Sequence, residues 1–446
     1  MMIRPRRSLF RNYTHWVQMQ ELPWDVIPGP HSRKTIRVTA LCLEKKMGRD
    51  SRKARSDGFE NRQRMPKEDV TMGAFEELAE VSKTRLNRFV SDWKGEGKKV
   101  VGYVCSYLPE EILYAADILP YRITGKGVND TSQADAYLTR VNCTFSRCCL
   151  EVGFSGGFDF FDGAAFVNGC DHIRRTFDNW KAHKSSPPFM YILPVPHVLD
   201  PDGLQWYKEE VVKFKEAVEE HFGVKVTPER LAEAVATYNE TRRLLRQLYD
   251  MRTSDEPHFT GAEALTIVSA ATAMPKREFN TLLSSLLEEA ETRKRVPNGK
   301  IRLLVAGSPM DDPEFLENVE SLGAVVVADA LCFGARSFWD LTDETGDALD
   351  ALAERYYNHV PCPRMAGEYP RRLGFVKEQI ERARVDGAIL EYIKFCDLHG
   401  TDNALLKRDL EKAGLPVIEL ERQYGPLADA GRIRTRVQAF LERIGR

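Results

Sequence analysis

The chain has 446 residues, 43% of them hydrophobic and 29% charged, with a formal net charge of −2. That length exceeds what one compact core organises and predicts two or three domains, while a charge so close to neutral gives no case for nucleic acid or an anionic membrane surface. No apolar run approaches the ~18 residues of a membrane span and no apolar h-region opens the chain, so the sequence predicts a soluble, cytoplasmic protein without a transmembrane helix or secretory signal.

Residues 1–65 differ from the rest. Arg4, Arg6, Arg7, Lys45, Lys46, Arg49, Arg52, Lys53 and Arg55 make the segment basic, and no helical or strand period holds within it. It reads as a disordered arm, a targeting sequence or translated upstream sequence ahead of a start at Met65 or Met72. From 74 to 93 the spacing of Phe75, Leu78, Val81, Leu86 and Val90 predicts a helix. Residues 98–104 form a buried strand, Cys105-Ser106 turns, and Pro109-Glu110-Glu111 opens a helix, since proline suits a first turn and acids there complement the helix dipole. A strand at 119–123 completes a β-α-β unit. Residues 135–152 read as a loop entering a helix that carries Cys143, Cys148 and Cys149. Next comes an apolar strand that closes on Cys170-Asp171, a helix to Trp180 and a strand at 189–193. The alternation predicts a parallel sheet covered by helices on both faces.

From about 201 to 294 the pattern is helical throughout. Thr227 caps and Pro228 opens one helix, with Leu231, Val235, Tyr238, Leu245 and Leu248 as its apolar stripe, and Pro275 opens another. A second α/β region starts near Lys300: a strand at 301–306, a helix at 313–322, a strand at 324–328 followed by Leu331-Cys332, a strand at 388–393 ending at Cys396, a helix from about Thr401, a strand at 416–420 and a helix at 430–444. The predicted architecture is two flavodoxin-like, doubly wound parallel-sheet lobes, 66–200 and 300–446, joined by a helical segment at 201–299.

One phrase occurs twice. Asp162 to Asp171 reads DGAAFVNGCD, and Asp386 to Asp397 reads DGAILEYIKFCD. Each is an Asp-Gly-Ala opening, an apolar strand and a cysteine just past its carboxyl end, the edge where open α/β sheets bind ligands. Nine cysteines, an odd number with no CxxC pair, make neither a disulfide scaffold nor a zinc ribbon. Cys105, Cys170, Cys332 and Cys396 each follow a predicted strand, and Cys143 falls near the same edge. If the lobes face each other there, the thiols converge. Scattered thiolates suit an iron–sulfur cluster, whose soft ligands need to be close in space but not in sequence; the plain alternative is a core of inert buried thiols.

The segments KKVVGYVCSYLPEEILYAADILPYRITG (98–125), CTFSRCCLEVG (143–153), DFFDGAAFVNGCDHIRRTFDNWK (159–181), GAVVVADALCFGAR (323–336) and VDGAILEYIKFCD (385–397), in this order, resemble the 2-hydroxyacyl-CoA dehydratase subunits, a family that includes the iron–sulfur subunits of ATP-dependent benzoyl-CoA reductase. The resemblance covers about 74–446. It implies two flavodoxin-like lobes and a 4Fe-4S cluster on three cysteines, which by position are Cys143, Cys170 and Cys396, with the fourth iron open. Cys332 is the first substitute, Cys105 and Cys362 are further reserves, and Cys148 and Cys149 are helix residues facing the core. It also implies an acyl-CoA substrate, one-electron chemistry through a ketyl-type radical anion, a homologous second subunit and a separate ATP-dependent activator ATPase. No GxxxxGK[ST] sequence is present, so ATP is not bound here in the P-loop manner.

Around that site Ser106 is either an oxyanion donor or a turn residue, and Glu110 or Glu111 is either an acid–base group or a carboxylate placed for the helix dipole. Arg147, Arg174, Arg175 and Arg336 are either contacts for CoA phosphates or solvated surface charges. His172 is either a neighbour of the cluster or a structural histidine. Three functional classes follow: a cluster-bearing enzyme subunit, either dehydratase or ring reductase; a non-catalytic relay or assembly subunit; and a zinc-bound hydrolase using Cys and His ligands.

Overall fold

The computed structural model describes residues 72–425 and 430–445, and the basic segment 1–65 lies outside them. Eight strands form two four-stranded, all-parallel sheets. The first contains β1 (Lys99–Tyr103), β2 (Ile118–Arg122), β3 (Gly163–Val167) and β4 (Phe189–Leu193) in the order β2-β1-β3-β4. The second contains β5 (Ile301–Gly307), β6 (Ala324–Ala330), β7 (Gly387–Ile393) and β8 (Val417–Arg422) in the order β6-β5-β7-β8. Each is a doubly wound sheet whose strand order reverses between its two central strands, so the chain has two lobes of one design.

Successive residues of a strand face opposite sides. In the first sheet Val100, Leu119, Ala164 and Phe166 enter one core, while Val101, Ile118, Ala165 and Val167 enter the other. Helices cover both faces, which is why these strands are continuous apolar runs with no polar alternation.

The repeated Asp-Gly-Ala now has a physical account. The Asp162 carboxylate accepts the Val100 amide at 2.9 Å, and the Asp162 amide donates to the Val100 carbonyl at 2.8 Å. Asp386 does the same to Arg302, both bonds at 2.8 Å. Each aspartate thus pins the start of one central strand to its neighbour. The glycine that follows is fixed by packing: a Cβ at Gly163 would stand 2.8 Å from Phe189 Cβ, and one at Gly387 2.6 Å from Ile444 Cδ1.

Between the sheets lie the helices Pro201–Phe222, Pro228–Arg252, Gly261–Ala271 and Lys276–Glu289. The 25-residue helix Pro228–Arg252 works as a strut. Its middle packs on the helix Glu110–Ala115, where Arg242 pairs with the fully buried Glu111 at 2.5 Å. Its second half packs on β6, where Arg252 donates to the Val326 carbonyl at 2.8 Å and Tyr249 to the Asp329 carboxylate at 2.5 Å.

Several elements differ from the sequence-based expectation. The helix expected over 74–93 is two, Ala74–Lys83 and Arg88–Gly95, because the Asn87 side chain accepts the Val90 amide at 3.1 Å and starts a new helix. The helix expected from Thr401 begins at Asp397, directly after Cys396. Two helices, Ala348–Asn358 and Tyr369–Ala383, fill a stretch the apolar pattern leaves unassigned.

Candidate functional site

The carboxyl ends of both sheets open onto one cavity of about 360 Å³. Its wall includes Cys105 and Ser106 past β1, Arg122 at the end of β2, Asn168 to Cys170 past β3 and His197 past β4. The second lobe adds Pro309 past β5, Cys332 past β6 and Cys396 to His399 past β7. All eight cysteines of the described residues are free thiols, and six of them, Cys105, Cys143, Cys170, Cys332, Cys362 and Cys396, line this cavity. Cys148 and Cys149 are buried in the helix Thr144–Phe154, away from it.

Three thiols share one local geometry. Cys143 is the N-cap of the helix Thr144–Phe154, Cys170 of the helix Asp171–Ala182, and Cys396 of the helix Asp397–Lys412. Three helix N-termini, each with partial positive charge and unpaired amides, therefore point toward the cavity. None of the thiols makes a capping hydrogen bond of ordinary geometry, yet the first-turn amides of Ser146, Ile173 and His399 lie near enough to favour the thiolates. Burial outweighs them. It pushes Cys143 far up, with Cys396 and Cys170 adding to the rise; it pushes Cys170 up to about 12; and it raises Cys396. Cys105 is pushed up to about 11, by burial first and Cys362 second. The set is protonated at neutral pH until a cation arrives. Among the described residues no three His, Cys, Asp or Glu side chains meet closely enough to hold a single ion.

His172 fixes two of the thiols relative to each other. It sits in the first turn after Cys170, and its Nδ1 accepts the Cys143 amide at 3.2 Å, tying two helix starts together. Cys105 is held with φ of +84°, a left-handed backbone unusual for a residue with a side chain.

The wall carries the carboxylates Asp171 and Asp397 at the helix starts and three buried guanidinium groups. Arg122, Arg336 and Arg364 are each 4–5% exposed, and among the described residues none makes an ion pair with a carboxylate. Arg364 is held by backbone carbonyls, Val195 at 2.9 Å and Pro196 at 3.1 Å. Arg122 donates to the Cys332 carbonyl at 2.8 Å. Among the described residues the Arg336 guanidinium makes no side-chain hydrogen bond, and its Nε is buried and unsatisfied. Unpaired buried guanidinium groups favour an anionic occupant.

Ser106 reaches the cavity, and its Oγ lies 3.4 Å from His359 Nε2. His359 Nδ1 faces the Tyr356 carbonyl at 2.7 Å, and burial keeps the ring neutral, so Nδ1 carries the proton and the Ser106 hydroxyl donates to Nε2. Glu110 and Glu111 do not reach the cavity. Glu110 stands 3.4 Å from Lys276, and Glu111 pairs with Arg242 and accepts from Tyr356 at 2.8 Å. Arg147 is paired with Asp135 at 2.6 Å, while Arg174 lines the cavity from an exposed position beside Asp171. Sequence reasoning passed over Arg122, Arg364, His359 and His399. Arg122 ends a strand and falls at the edge already under suspicion, but nothing in the local sequence marks the other three.

Among the described residues no helix is long and apolar enough to cross a membrane. The chain is 25% identical over 379 residues, 85% of this chain and 100% of the relative, to the (R)-phenyllactyl-CoA dehydratase beta subunit of Clostridium sporogenes. It is 26% identical over 325 residues, 71% of this chain and 83% of the relative, to a benzoyl-CoA reductase subunit of Thauera aromatica. It is 24% identical over 378 residues, 82% and 97%, to the beta subunit of the (R)-2-hydroxyglutaryl-CoA dehydratase of Acidaminococcus fermentans. Each relative is named as one subunit of its enzyme. The family model for the 2-hydroxyglutaryl-CoA dehydratase D-component matches residues 105–444, from Cys105 at the cavity to the last helix, and the chain belongs to that family.

Proposed function

We propose that this chain is the iron–sulfur subunit of a 2-hydroxyacyl-CoA dehydratase-type enzyme, acting on an acyl-CoA thioester by one-electron chemistry. The observation that carries the reading is the convergence of Cys143, Cys170 and Cys396, each a helix N-cap, on one cavity. The donor set suits a 4Fe-4S cluster. Its thiols are soft and desolvated, the helix termini favour net negative charge, and cluster ligands sit on separate irons and need not meet at one point. When bound, such a cluster supplies low-potential electron transfer and the positive charge that ionises the three thiols.

This chain's own residues do the rest. The helix starts set the thiol positions, and His172 holds Cys143 against Cys170. Arg336, free of any carboxylate among the described residues, is the group available to a thioester oxygen as negative charge develops on it. Ser106 offers its hydroxyl by turning from His359 through rotation about one bond. Glu110 drops out because it is engaged beside Lys276. A homologous second subunit, a separate activator ATPase and a cytoplasmic location complete the proposal. Ring reduction, the activity named for the Thauera relative, is the alternative within the class, supported by an identity as high as that of the dehydratases.

One observation favours a relay subunit. Cys362 lines the same cavity, and its nearness contributes to the raised values of Cys170 and Cys396, so it is the residue that would supply a fourth thiolate to a cluster held there. Anaerobic purification with iron and sulfide analysis and EPR of the reduced protein tests the reading, which expects about four of each per chain. Iron retained at full content after serine replaces Cys143, Cys170 and Cys396 together rejects the ligand set. A fall in iron, or a changed g-pattern, in Cys362→Ser alone selects the four-thiolate relay.

A further inference from the structure

A second cavity, of about 190 Å³, lies behind the first. The two share Arg122 and Phe333, with the Arg122 guanidinium 3.6 Å above the Phe333 ring. No thiol lines it. Four cations do, Lys83, Arg85, Arg122 and Lys126, and among the described residues none of them is in an ion pair with a carboxylate. The one acid in the wall, Asp311, is 2% exposed; its carboxylate accepts from the Tyr424 hydroxyl at 2.8 Å, and burial raises its pKa. Lys126 spends one ammonium donor on the Ser82 carbonyl at 3.1 Å and is half-buried. Two polar atoms here are buried and unsatisfied: Arg85 Nε and the Oγ of Ser269, a residue only 9% exposed. Asp311 attracts Lys126 and Arg85 donates to the Lys126 carbonyl, but the remaining positive charge beside two orphaned polar atoms costs stability unless a ligand takes it up. The size suits a compact anion, and the donor geometry suits one with several acceptor oxygens.

We propose that this cavity binds a phosphoryl group, held by Arg85, Lys126 and Ser269 with Lys83 at the exposed rim. The group comes either from free phosphate or from a coenzyme A whose acyl end lies past the Arg122–Phe333 wall. The free-phosphate source is independent of the acyl-CoA reading, and the coenzyme source rests on it.

The test titrates the full chain with inorganic phosphate, coenzyme A and pantetheine by calorimetry. Phosphate is expected to bind, and the double variant Arg85→Gln/Lys126→Gln to weaken it about a hundredfold, since each charge-assisted contact is worth roughly tenfold. Ser269→Ala is expected to weaken it several-fold, and Lys83→Gln, at an exposed position that leaves folding unaffected, about threefold. Coenzyme A that displaces phosphate, while pantetheine does not, identifies the coenzyme source; phosphate binding without that displacement identifies the free anion. Serine at Cys143, Cys170 and Cys396 is expected to leave phosphate binding unchanged, so loss of the cluster reading does not touch this one. No phosphate binding by the wild-type chain, or equal affinity in the folded double variant and in Lys83→Gln, overturns the proposal.

Discussion

The two lobes repeat one framework and equip it differently. Both pin a central strand with an Asp-Gly pair, and both start a helix directly behind a cysteine past that strand. The chain at the carboxyl end of the first strand of each lobe sets them apart. In the second lobe it holds Gly307 at φ +143°, and a Cβ there would collide with the Glu391 carbonyl. In the first lobe the matching position is Cys105, which keeps a side chain at φ +84° and presents it to the cavity. Left-handed backbone costs a residue with a side chain about 1–3 kcal/mol. The first lobe bears that cost and gains a cavity thiol, whereas the second takes the unstrained glycine and leaves its turn bare. The shared framework is therefore a matter of stability, and the differences between the lobes gather where the cavity is.

The comparison breaks most sharply at the cysteines. Replacing Cys170 or Cys396 with serine, one per lobe, is expected to remove most of the iron from anaerobically prepared protein, as measured by iron and sulfide content. A loss confined to one lobe's cysteine shows that the repeat is not a shared ligand pattern. Next in size, Gly307→Cys copies the first lobe's turn into the second and is expected to destabilise the chain by more than about 4 kcal/mol in denaturant unfolding. The reverse exchange, Cys105→Gly, is expected to change stability by less than about 1 kcal/mol, because relieved backbone strain offsets the lost packing of the thiol.

A smaller contrast lies at the pinning aspartates. Burial pushes the Asp162 carboxyl up, but bonds from Lys94, the Val100 amide and Lys99 outweigh it and hold the group below the usual carboxylate range. A depressed folded value means stability that is complete above about pH 4 and lost as pH falls through the folded value. Asp162→Ala is expected to cost about 1–3 kcal/mol at neutral pH and to flatten the acid limb of the stability–pH curve, both measurable by urea unfolding across pH. A small effect is also expected at His172. His172→Phe keeps the ring and deprives the Cys143 amide of its acceptor, for a loss of about 1 kcal/mol, with iron binding weakened more than stability.

The sheet strands and their trailing cysteines were legible because two independent signals coincide there: an apolar run buried on both faces, and a repeated Asp-Gly opening whose amide bonding explains the repeat. The helix break at 84–87 was not, because Asn87 caps without glycine or proline to announce it. The surroundings of Glu110 were not legible for a related reason. Its position past β1 suggested the cavity edge, but that helix turns its acids toward Lys276 and Arg242 on the helical segment, a choice made by partners far away in sequence. Cys362 and Arg364 come from the loop between the helices Ala348–Asn358 and Tyr369–Ala383, and a loop's destination is not encoded in its own periodicity.

The three N-cap cysteines stand far apart along the chain. Cys143 and Cys170 belong to the early sheet, and Cys396 follows the third strand of the last one in a chain of 446 residues. A local metal-binding motif is complete on a nascent chain as soon as its few residues leave the ribosome. This site has no such early form. Until translation has passed Cys396, the two early thiols lack their third companion. On the proposed ligand set, loading would wait for the finished polypeptide, and a cluster would have to reach a folded protein with its cavity already shaped.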